Sequence, residues 1–466
     1  MELSTDIVII GAGITGLTTA HYLLNKNQNF IIIDDRDYPG GLMRTEVQDK
    51  FVYETGPNTG VLGTLEAVKL FEELDGKSAL TKNYSLEKAS LLAKKRFIFK
   101  DGKLRIMPMS LGSGIKTKLF TWKDKFRLLL EPFRKKGTNP NETLAEFVKR
   151  RMGQSFLDYA INPFISGVYA GMPEMLVTKY AFPKLYNLEQ NYGSLIGGSI
   201  KIGKVKKKEK SLNPDLNKVT RETFSADNGL SNLAYSLYNE IGSDKFLLSS
   251  KKAVVNKTQD GFDIKLIQNS QEITIHTKKV VNTTPAYAFA DLFPFVDNDD
   301  KTAITNLKYS SVIECAIGFE KWESDPIDGF GALIPQKENR KILGVLFMST
   351  LFKNRAPKDG ALLAVFLGGM RNLQYLKLSD VEIKTMVADE ISKILNIKDF
   401  NPDLFKVMKH HQVIPQYEAD SKLRFETIEK LEKQYPGLII GGNMIGGIGM
   451  ADRIKQGVQL AEKACL

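Results

Sequence analysis

Two cysteines in 466 residues, Cys315 and Cys465, stand far apart in sequence. That is too few for a disulfide framework or a thiolate metal cluster, and it points to a reducing compartment. Histidine is equally sparse: four in all, only His410 and His411 adjacent, with no carboxylate-rich ligand spacing near them. No metal is expected. No uninterrupted apolar run reaches membrane-spanning length; residues 434–451 are uncharged but carry six glycines and would make a poor spanning helix. A basic-then-apolar leader is also missing, because the first strand starts within six residues and carries Glu2 and Asp6. Nucleic-acid motifs are missing too, although the chain has 65 Lys+Arg against 54 Asp+Glu and a net charge of +11. The excess of positive charge is therefore assigned to an anionic substrate or lipid surface. There is no internal repeat, and no Ser/His/Asp or Cys/His constellation for nucleophilic catalysis. The remaining composition, 42% hydrophobic and 26% charged, is ordinary for a globular protein of two or three domains.

What is present begins at Ile7-Val8-Ile9-Ile10, which opens into Gly11-Ala12-Gly13-Ile14-Thr15-Gly16; a second apolar run, Phe30-Ile31-Ile32-Ile33, ends on Asp34-Asp35. This is a strand, a glycine turn, a helix and a second strand closing on an acid. Gly11 permits a tight turn, Gly13 lets backbone approach a pyrophosphate, and Gly16 lets helix and strand pack closely. The pyrophosphate belongs on the helix N-terminus, and Asp34 on a ribose hydroxyl. Near the C-terminus Leu438-Ile439-Ile440 leads into Gly441-Gly442-Asn443 and Gly446-Gly447-Ile448-Gly449-Met450, a second glycine turn opening the final amphipathic helix. Its alternative reading is packing room alone. A ligand gripped by both ends of the chain makes the middle segments insertions.

Between these ends, residues 51–54 read as a strand entering a loop, Gly56-Pro57-Asn58-Thr59, that opens a helix over 65–74. Residues 96–106 carry a hairpin signal around Asp101-Gly102. From about 110 to 201 the pattern is helical; over 119–136, Leu119, Phe120, Trp122, Phe126, Leu129, Leu130 and Phe133 interleave with lysines and arginines. That stripe suits either a helix on an anionic membrane or one packed on the protein's own core. Residues 204–210 hold five lysines and read as a solvated loop, with a membrane or partner patch as the alternative. Dinucleotide-domain character returns over 224–237, 246–268 and 279–285, and residues 305–425 read as a mixed sheet with helices.

Arg36-Asp37-Tyr38-Pro39-Gly40-Gly41, followed by Leu42 and Arg44, resembles the signature of flavin amine-oxidase-like enzymes, which hold FAD. That family often has Arg at the position of Leu42, leaving Arg44 as the nearby cation. More discriminating are residues 162–174 (Asn-Pro-Phe-Ile-Ser-Gly-Val-Tyr-Ala-Gly-Met-Pro-Glu), 179–186, 193–196, 329–335, 343–357 and Ile414-Pro415-Gln416-Tyr417. Together they resemble the protoporphyrinogen oxidases over essentially the whole chain.

The resemblance implies an α/β fold with three parts. A discontinuous Rossmann-like FAD-binding domain would comprise 1–85, 222–290 and 436–466. A mixed-sheet substrate domain would comprise 86–108, 205–221 and 291–435, and a helical membrane-docking insertion 109–204. It implies non-covalent FAD held by Gly11, Ala12, Gly13, Ile14, Thr15, Gly16, Asp34, Asp35, Gly41, Leu42, Arg44, Gly56, Pro57, Asn58, Thr59, Lys252, Gly442, Ile448, Gly449 and Met450. Arg96 would anchor a propionate, Leu333 and Phe352 would sandwich the macrocycle, and Gly167 and Ala170 would line its cavity. Asn58 would position the reacting methylene, or merely cap the following helix. The activity implied is six-electron oxidation of protoporphyrinogen by three O2 in haem synthesis, at the cytoplasmic face of the membrane. A ferrochelatase, by pathway logic, and a second copy of the chain are the expected partners. Coproporphyrinogen III oxidation, a flavin amine oxidase or desaturase, and a non-catalytic flavin carrier stand as alternatives.

Overall fold

The computed structural model describes residues 1–81 and 85–466, so 82–84 of the expected FAD-binding domain lie outside the described residues. Two seven-stranded sheets organise the described residues. In the first, Glu2–Ile10 pairs in parallel with Phe30–Ile33 on one side and Gln271–Asn282 on the other. Phe246–Leu247 extends one edge in parallel, and Leu438–Ile440 pairs with the last residues of Gln271–Asn282. Lys251–Lys257 and Phe262–Gln268 complete it as an antiparallel meander. The apolar runs Ile7–Ile10, Phe30–Ile33 and Leu438–Ile440, largely buried, suit such a parallel core. Helices Ile14–Asn25 and Met450–Cys465 pack so closely that a Cβ at Gly457 would lie 2.6 Å from Thr18 Cβ.

In the second sheet the order is Leu404–Pro415, Tyr309–Phe319, Ala361–Gly368, Ile342–Phe347, Gly331–Leu333, Arg96–Lys100, Lys103–Ile106. All pairs are antiparallel except Gly331–Leu333 with Arg96–Lys100, so the sheet is mixed. The 96–106 hairpin turns at Asp101 (φ +52°) and Gly102 (φ +71°), the two left-handed residues that a tight two-residue hairpin demands. Ile313, Cys315, Leu363, Val365 and Val345 bury one face under helix Asp380–Leu395. The other face packs against Phe51, Tyr53 and the loop that follows them, and carries the candidate site.

Two expectations are corrected. Residues 204–210 are not a loop: they lie within helix Leu195–Leu212, which also runs through the boundary drawn at 204. The sequence between Ser194 and Pro214 has no breaker stronger than the Gly197-Gly198 pair and Gly203, and the first turn is capped from outside. Ser194 Oγ accepts from Gly197 N–H, and the buried Glu131 carboxylate takes the N–H groups of Leu195 and Ile196. Burial pushes Glu131 up, but these bonds, with Ser194 and Arg151, more than offset it and hold the carboxyl below its ordinary value. The stripe over 119–136 is likewise no single helix. Trp122–Leu129 is helical, and a 3-10 turn, Glu131–Phe133, follows where Pro132 cannot continue the ladder. Leu119 and Phe120 leave the stripe for a buried cluster with Ile98 and Tyr159. Thr223–Ala226 joins Gly60–Val61 and Leu86–Lys88 in a small separate sheet, and Phe224, Leu233 and Leu237 pack in one core with Ile7, Ile9 and Leu17 of the first sheet and its helix.

Candidate active site

The turn after Glu2–Ile10 has three glycines in three different situations. Gly11 adopts φ +107°, and a Cβ there would lie 2.6 Å from Thr283 Oγ1. A Cβ at Gly16 would come within 1.9 Å of Gly11 O, so only glycine lets the helix start against the strand end. A Cβ at Gly13 would meet nothing within 4 Å. The open position is thus the one beside the helix N-terminus, where Ile14 and Thr15 begin the first turn and unpaired N–H groups face outward. Asp34 lies alongside, nearly buried, accepting from Ala12 N–H (2.6 Å) and Arg36 N–H (2.8 Å). Burial pushes its carboxyl up while those two bonds pull it down, and the net direction is up. Asp35 is exposed next to it. Segment 249–252 closes that side: Ser249 N–H donates to Arg36 O, Ser250 N–H to Asp34 O, and Lys252 sits at φ +53° in an irregular stretch of its strand.

The Gly-Gly pair reaches back to the same turn. Gly40 N–H donates to Ala12 O (2.8 Å), and a Cβ at Gly41 would lie 3.2 Å from Gly13 Cα. Leu42 then touches the loop after Phe51–Glu54, because a Cβ at Gly56 would sit 2.0 Å from Leu42 O. Arg44 is half-exposed, 3.4 Å from Glu46 and stacked over Tyr38 at 5.0 Å. A cavity of ≈ 380 Å³ opens here between Gly41, Leu42 and Arg44 on one side and Lys406, Met408 and His410 on the other. From the C-terminal end, Gly442 (φ +82°) packs on Thr283 O, and Gly449 caps Met450–Cys465 just after Ile448. Both glycine turns therefore meet at Thr283, whose Oγ1 donates to Ile10 O (2.9 Å).

Asn58 does not cap the next helix; Thr64 Oγ1 does, accepting from Ala67 N–H. Its Nδ2 instead donates to Gly56 O (3.1 Å) and to Glu314 Oε1 (2.7 Å), tying the Gly56-Pro57-Asn58-Thr59 loop to the second sheet. Glu314 is fully buried, and burial, with a further push from Glu54, drives its carboxyl well above its ordinary value against the Asn58 bond. His410 Nε2 lies 3.8 Å from Glu314 Oε2, its ring held below the usual histidine range by burial. Glu54, just upstream, pairs with the buried Arg355 at 3.0 Å.

The register of the second sheet sets these groups on one face, since directly opposed residues share a face. Glu314 opposes Met408 and Phe366, Phe366 opposes Gly344, Gly344 opposes Leu333, and Leu333 opposes Ile98, with Arg96 two residues before it. Phe366, Leu346 and Leu333 keep part of their surface accessible, whereas their neighbours on the opposite face are buried; Met408 is partly accessible too. Four strand steps separate Glu314 from Arg96, about 19 Å at roughly 4.8 Å per strand. Arg96 is half-buried over the Phe330 ring (4.6 Å); its Nε is unpartnered, and no described carboxylate pairs with it. Burial pulls it below the ordinary arginine range. Helix Asn162–Val168 covers the same end, where a Cβ at Gly167 would lie 2.3 Å from Leu333 Cδ2. Ala170, at φ +45°, follows it. Phe352 is buried with Phe51, Tyr53 and Met348, in a cluster against which Phe330, Leu346, Phe366 and Met408 pack.

Sequence reasoning missed Glu314, Thr283 and the pairing of Arg355 with Glu54. Arg355 and Thr283 lie in segments singled out above. For Glu314 the signal was an acid in the centre of the otherwise uncharged run 309–319.

These features define a class. The family model of flavin containing amine oxidoreductases matches residues 14–464, and the chain belongs to that family. It is an FAD-dependent oxidoreductase. Among relatives, it is 28% identical to protoporphyrinogen oxidase 2, chloroplastic/mitochondrial, of Arabidopsis thaliana, over 98% of this chain and 93% of that one. It is 26% identical to the coproporphyrinogen III oxidase of Bacillus subtilis, over 97% and 96% of the two chains. A crystal structure from Exiguobacterium sp. 255-15 matches with a TM-score of 0.77 at 21% identity, covering 98% of both chains, a likeness of fold.

Proposed function

We propose that this chain oxidises protoporphyrinogen IX to protoporphyrin IX, passing six electrons to three O2 and releasing three H2O2. One observation carries the reading: Arg96, a half-buried cation without an anionic partner among the described residues, at the end of a partly open apolar face about 19 Å from Glu314. A broad apolar disc with propionates on its edge needs such a wall and such a rim. Leu333 and Gly167 would bound the disc near Arg96, Phe352 would lie beneath its wall, and Ala170 would shape the covering segment. The residues also fit FAD. The open space at Gly13, the N–H groups of the turn 11–16, and Gly41 would take the pyrophosphate. Asp34 and Asp35 would face the adenosine ribose, and Lys252 backbone the adenine. Leu42, Arg44, residues 56–59, Gly442 and 448–450 would surround the flavin end. When bound, FAD supplies the acceptor for hydride from a methylene bridge. The protein's part is orientation: Arg96 fixes the rim, the apolar face excludes water, and Asn58 addresses the reacting edge.

Coproporphyrinogen III, with four carboxylates, is the second reading, favoured by Arg44, Lys406 and Lys409 around the cavity at the opposite end. Each porphyrinogen is added separately to FAD-loaded protein under air, with porphyrin fluorescence and peroxide as readouts. Faster turnover of protoporphyrinogen is expected; conversion of neither removes the proposal. Arg96→Ala should raise KM about 10- to 100-fold while FAD content is kept, the scale of one charge-assisted bond. An unchanged KM would show that Arg96 is no anchor.

The proposal extends to the membrane. Trp122, Phe126, Leu129 and Phe133 are 71%, 66%, 67% and 84% exposed, beside the exposed Lys116, Lys118 and Lys123. No helix among the described residues is long and apolar enough to cross a bilayer, so this patch would lie on an anionic surface. Co-sedimentation with phosphatidylglycerol vesicles should drop at least about tenfold in a Trp122→Ser/Phe126→Ser/Phe133→Ser variant. A wild type that stays in the supernatant at low salt would refute it. The same reading extends to a ferrochelatase that takes the porphyrin, supported by pathway logic, and to a second copy of the chain.

A further inference from the structure

Both amide hydrogens of Asn58 are already engaged, one by Gly56 O and one by Glu314 Oε1. Two acceptors on one side decide which end of the amide is nitrogen, because a reversed amide would set its oxygen against Gly56 O. What Asn58 turns outward is therefore Oδ1, which can only accept. A reduced tetrapyrrole carries four pyrrole N–H groups and no free acceptor nitrogen, so an outward-facing carbonyl oxygen complements it and an outward-facing amide N–H would not. Glu314 reaches Asn58 from the middle of the second sheet, and its other oxygen faces the unpartnered Nε2 of His410 at 3.8 Å. Glu54 is the other charged group near it. A strand otherwise free of charge has placed one buried carboxyl where it touches the loop expected beneath the flavin.

We infer that Glu314 is a positioning residue for the oxidation: its Oε1 pins the Asn58 amide, so that Asn58 Oδ1 faces the substrate and accepts a pyrrole N–H. This rests on the porphyrinogen reading above. Each round removes a hydride and a proton from the substrate: bound FAD would accept the hydride of a methylene carbon, and the adjacent pyrrole N–H, held on Asn58 Oδ1 until then, afterwards releases its proton to water while its electron pair completes the new double bond. Asn58 Oδ1 drawn onto that N–H pushes electron density into the pyrrole as the hydride departs.

The test uses FAD-loaded full-length protein. Glu314→Leu frees the amide to turn, and kcat should fall about tenfold or more, as for other losses of orientation, with FAD content retained. Glu314→Gln, whose Oε1 can take the same N–H, should restore most of that loss. The double variant Glu314→Leu/Asn58→Ala should be no slower than Asn58→Ala alone, since Glu314 acts through Asn58. The KM for protoporphyrinogen IX should rise in Glu314→Leu and recover in Glu314→Gln. If the Leu variant loses FAD, Glu314→Met replaces it in the series. Additive losses in the double variant, or a Gln variant as slow as Leu, overturn the inference while leaving the functional proposal standing. A wild type that holds FAD but oxidises neither porphyrinogen overturns both.

Discussion

Arg355→Leu should cost the fold about 3–5 kcal/mol in a denaturation experiment, the range for removing one partner of a buried pair. Arg355 and Glu54 are both essentially inaccessible, 3.0 Å apart, and joined to three elements. Arg355 Nη2–H donates to Ser225 Oγ (2.7 Å), and Glu54 accepts from Thr45 Oγ1–H (2.6 Å) and Leu230 N–H (3.1 Å). Burial already raises the Glu54 carboxyl, and Arg355 is the largest influence lowering it again. Without Arg355 the carboxyl moves further up and takes a proton at low pH. The sign follows. Across the interval between the unfolded value, near 4.3, and the raised folded one, the folded variant binds more protons than the unfolded chain, so its stability falls as pH rises. The gap between variant and wild type should therefore widen from pH 5 to pH 8. Glu54→Gln/Arg355→Leu should recover most of the loss, because a neutral amide can keep its oxygen on Leu230 N–H and turn its N–H toward the Thr45 hydroxyl, with no orphaned charge. A loss below about 1 kcal/mol for Arg355→Leu would mean that water reaches Glu54.

That cluster also shows where sequence stops being informative. Patterns confined to one stretch of chain were legible: the glycine turn at 11–16, the hairpin at 96–106 and the final glycine-to-helix turn each carry their own steric reason. Partnerships across hundreds of residues were not. Nothing near Glu54 announces Arg355, and nothing near Asn58 announces Glu314; the link exists only once strand 309–319 is set against the loop after 51–54. The lysine run at 204–210 misleads for a related reason. Its helix is nucleated from outside, by Glu131 on the first turn, while Lys and Glu are themselves good helix formers. The aromatic stripe over 119–136 divides because Pro132 ends the ladder and Leu119 and Phe120 find a core, a choice that periodicity cannot make. Period-two alternation, by contrast, carries far once the register is known: it sets Arg96, Leu333, Phe366 and Glu314 on one face.

The glycine turn yields the second large effect, because its glycines should fail in different ways. Gly16→Ala puts a methyl 1.9 Å from Gly11 O, backbone that cannot swing aside, with Thr283 Oγ1 3.2 Å away. Relief requires the helix Ile14–Asn25 to move off the strand end, and overpacking of this kind typically costs about 1–3 kcal/mol. Moving the helix also displaces the N–H groups at its start, so the purified variant should be both less stable and colourless. Gly13→Ala is the control. Its backbone, at φ −70° and ψ 175°, is open to any residue, and its Cβ would touch nothing in the protein. The apoprotein should unfold at the wild-type denaturant midpoint. The added methyl instead occupies the space that the pyrophosphate needs, so FAD affinity should fall about 10- to 100-fold, a loss of roughly 1.4–2.7 kcal/mol. Flavin absorbance against protein concentration, measured with the unfolding midpoint of the apo form, separates the two. A yellow Gly13→Ala protein with wild-type affinity would move the pyrophosphate away from this turn. A colourless one with an unshifted midpoint would show that what Gly13 contributes is empty space.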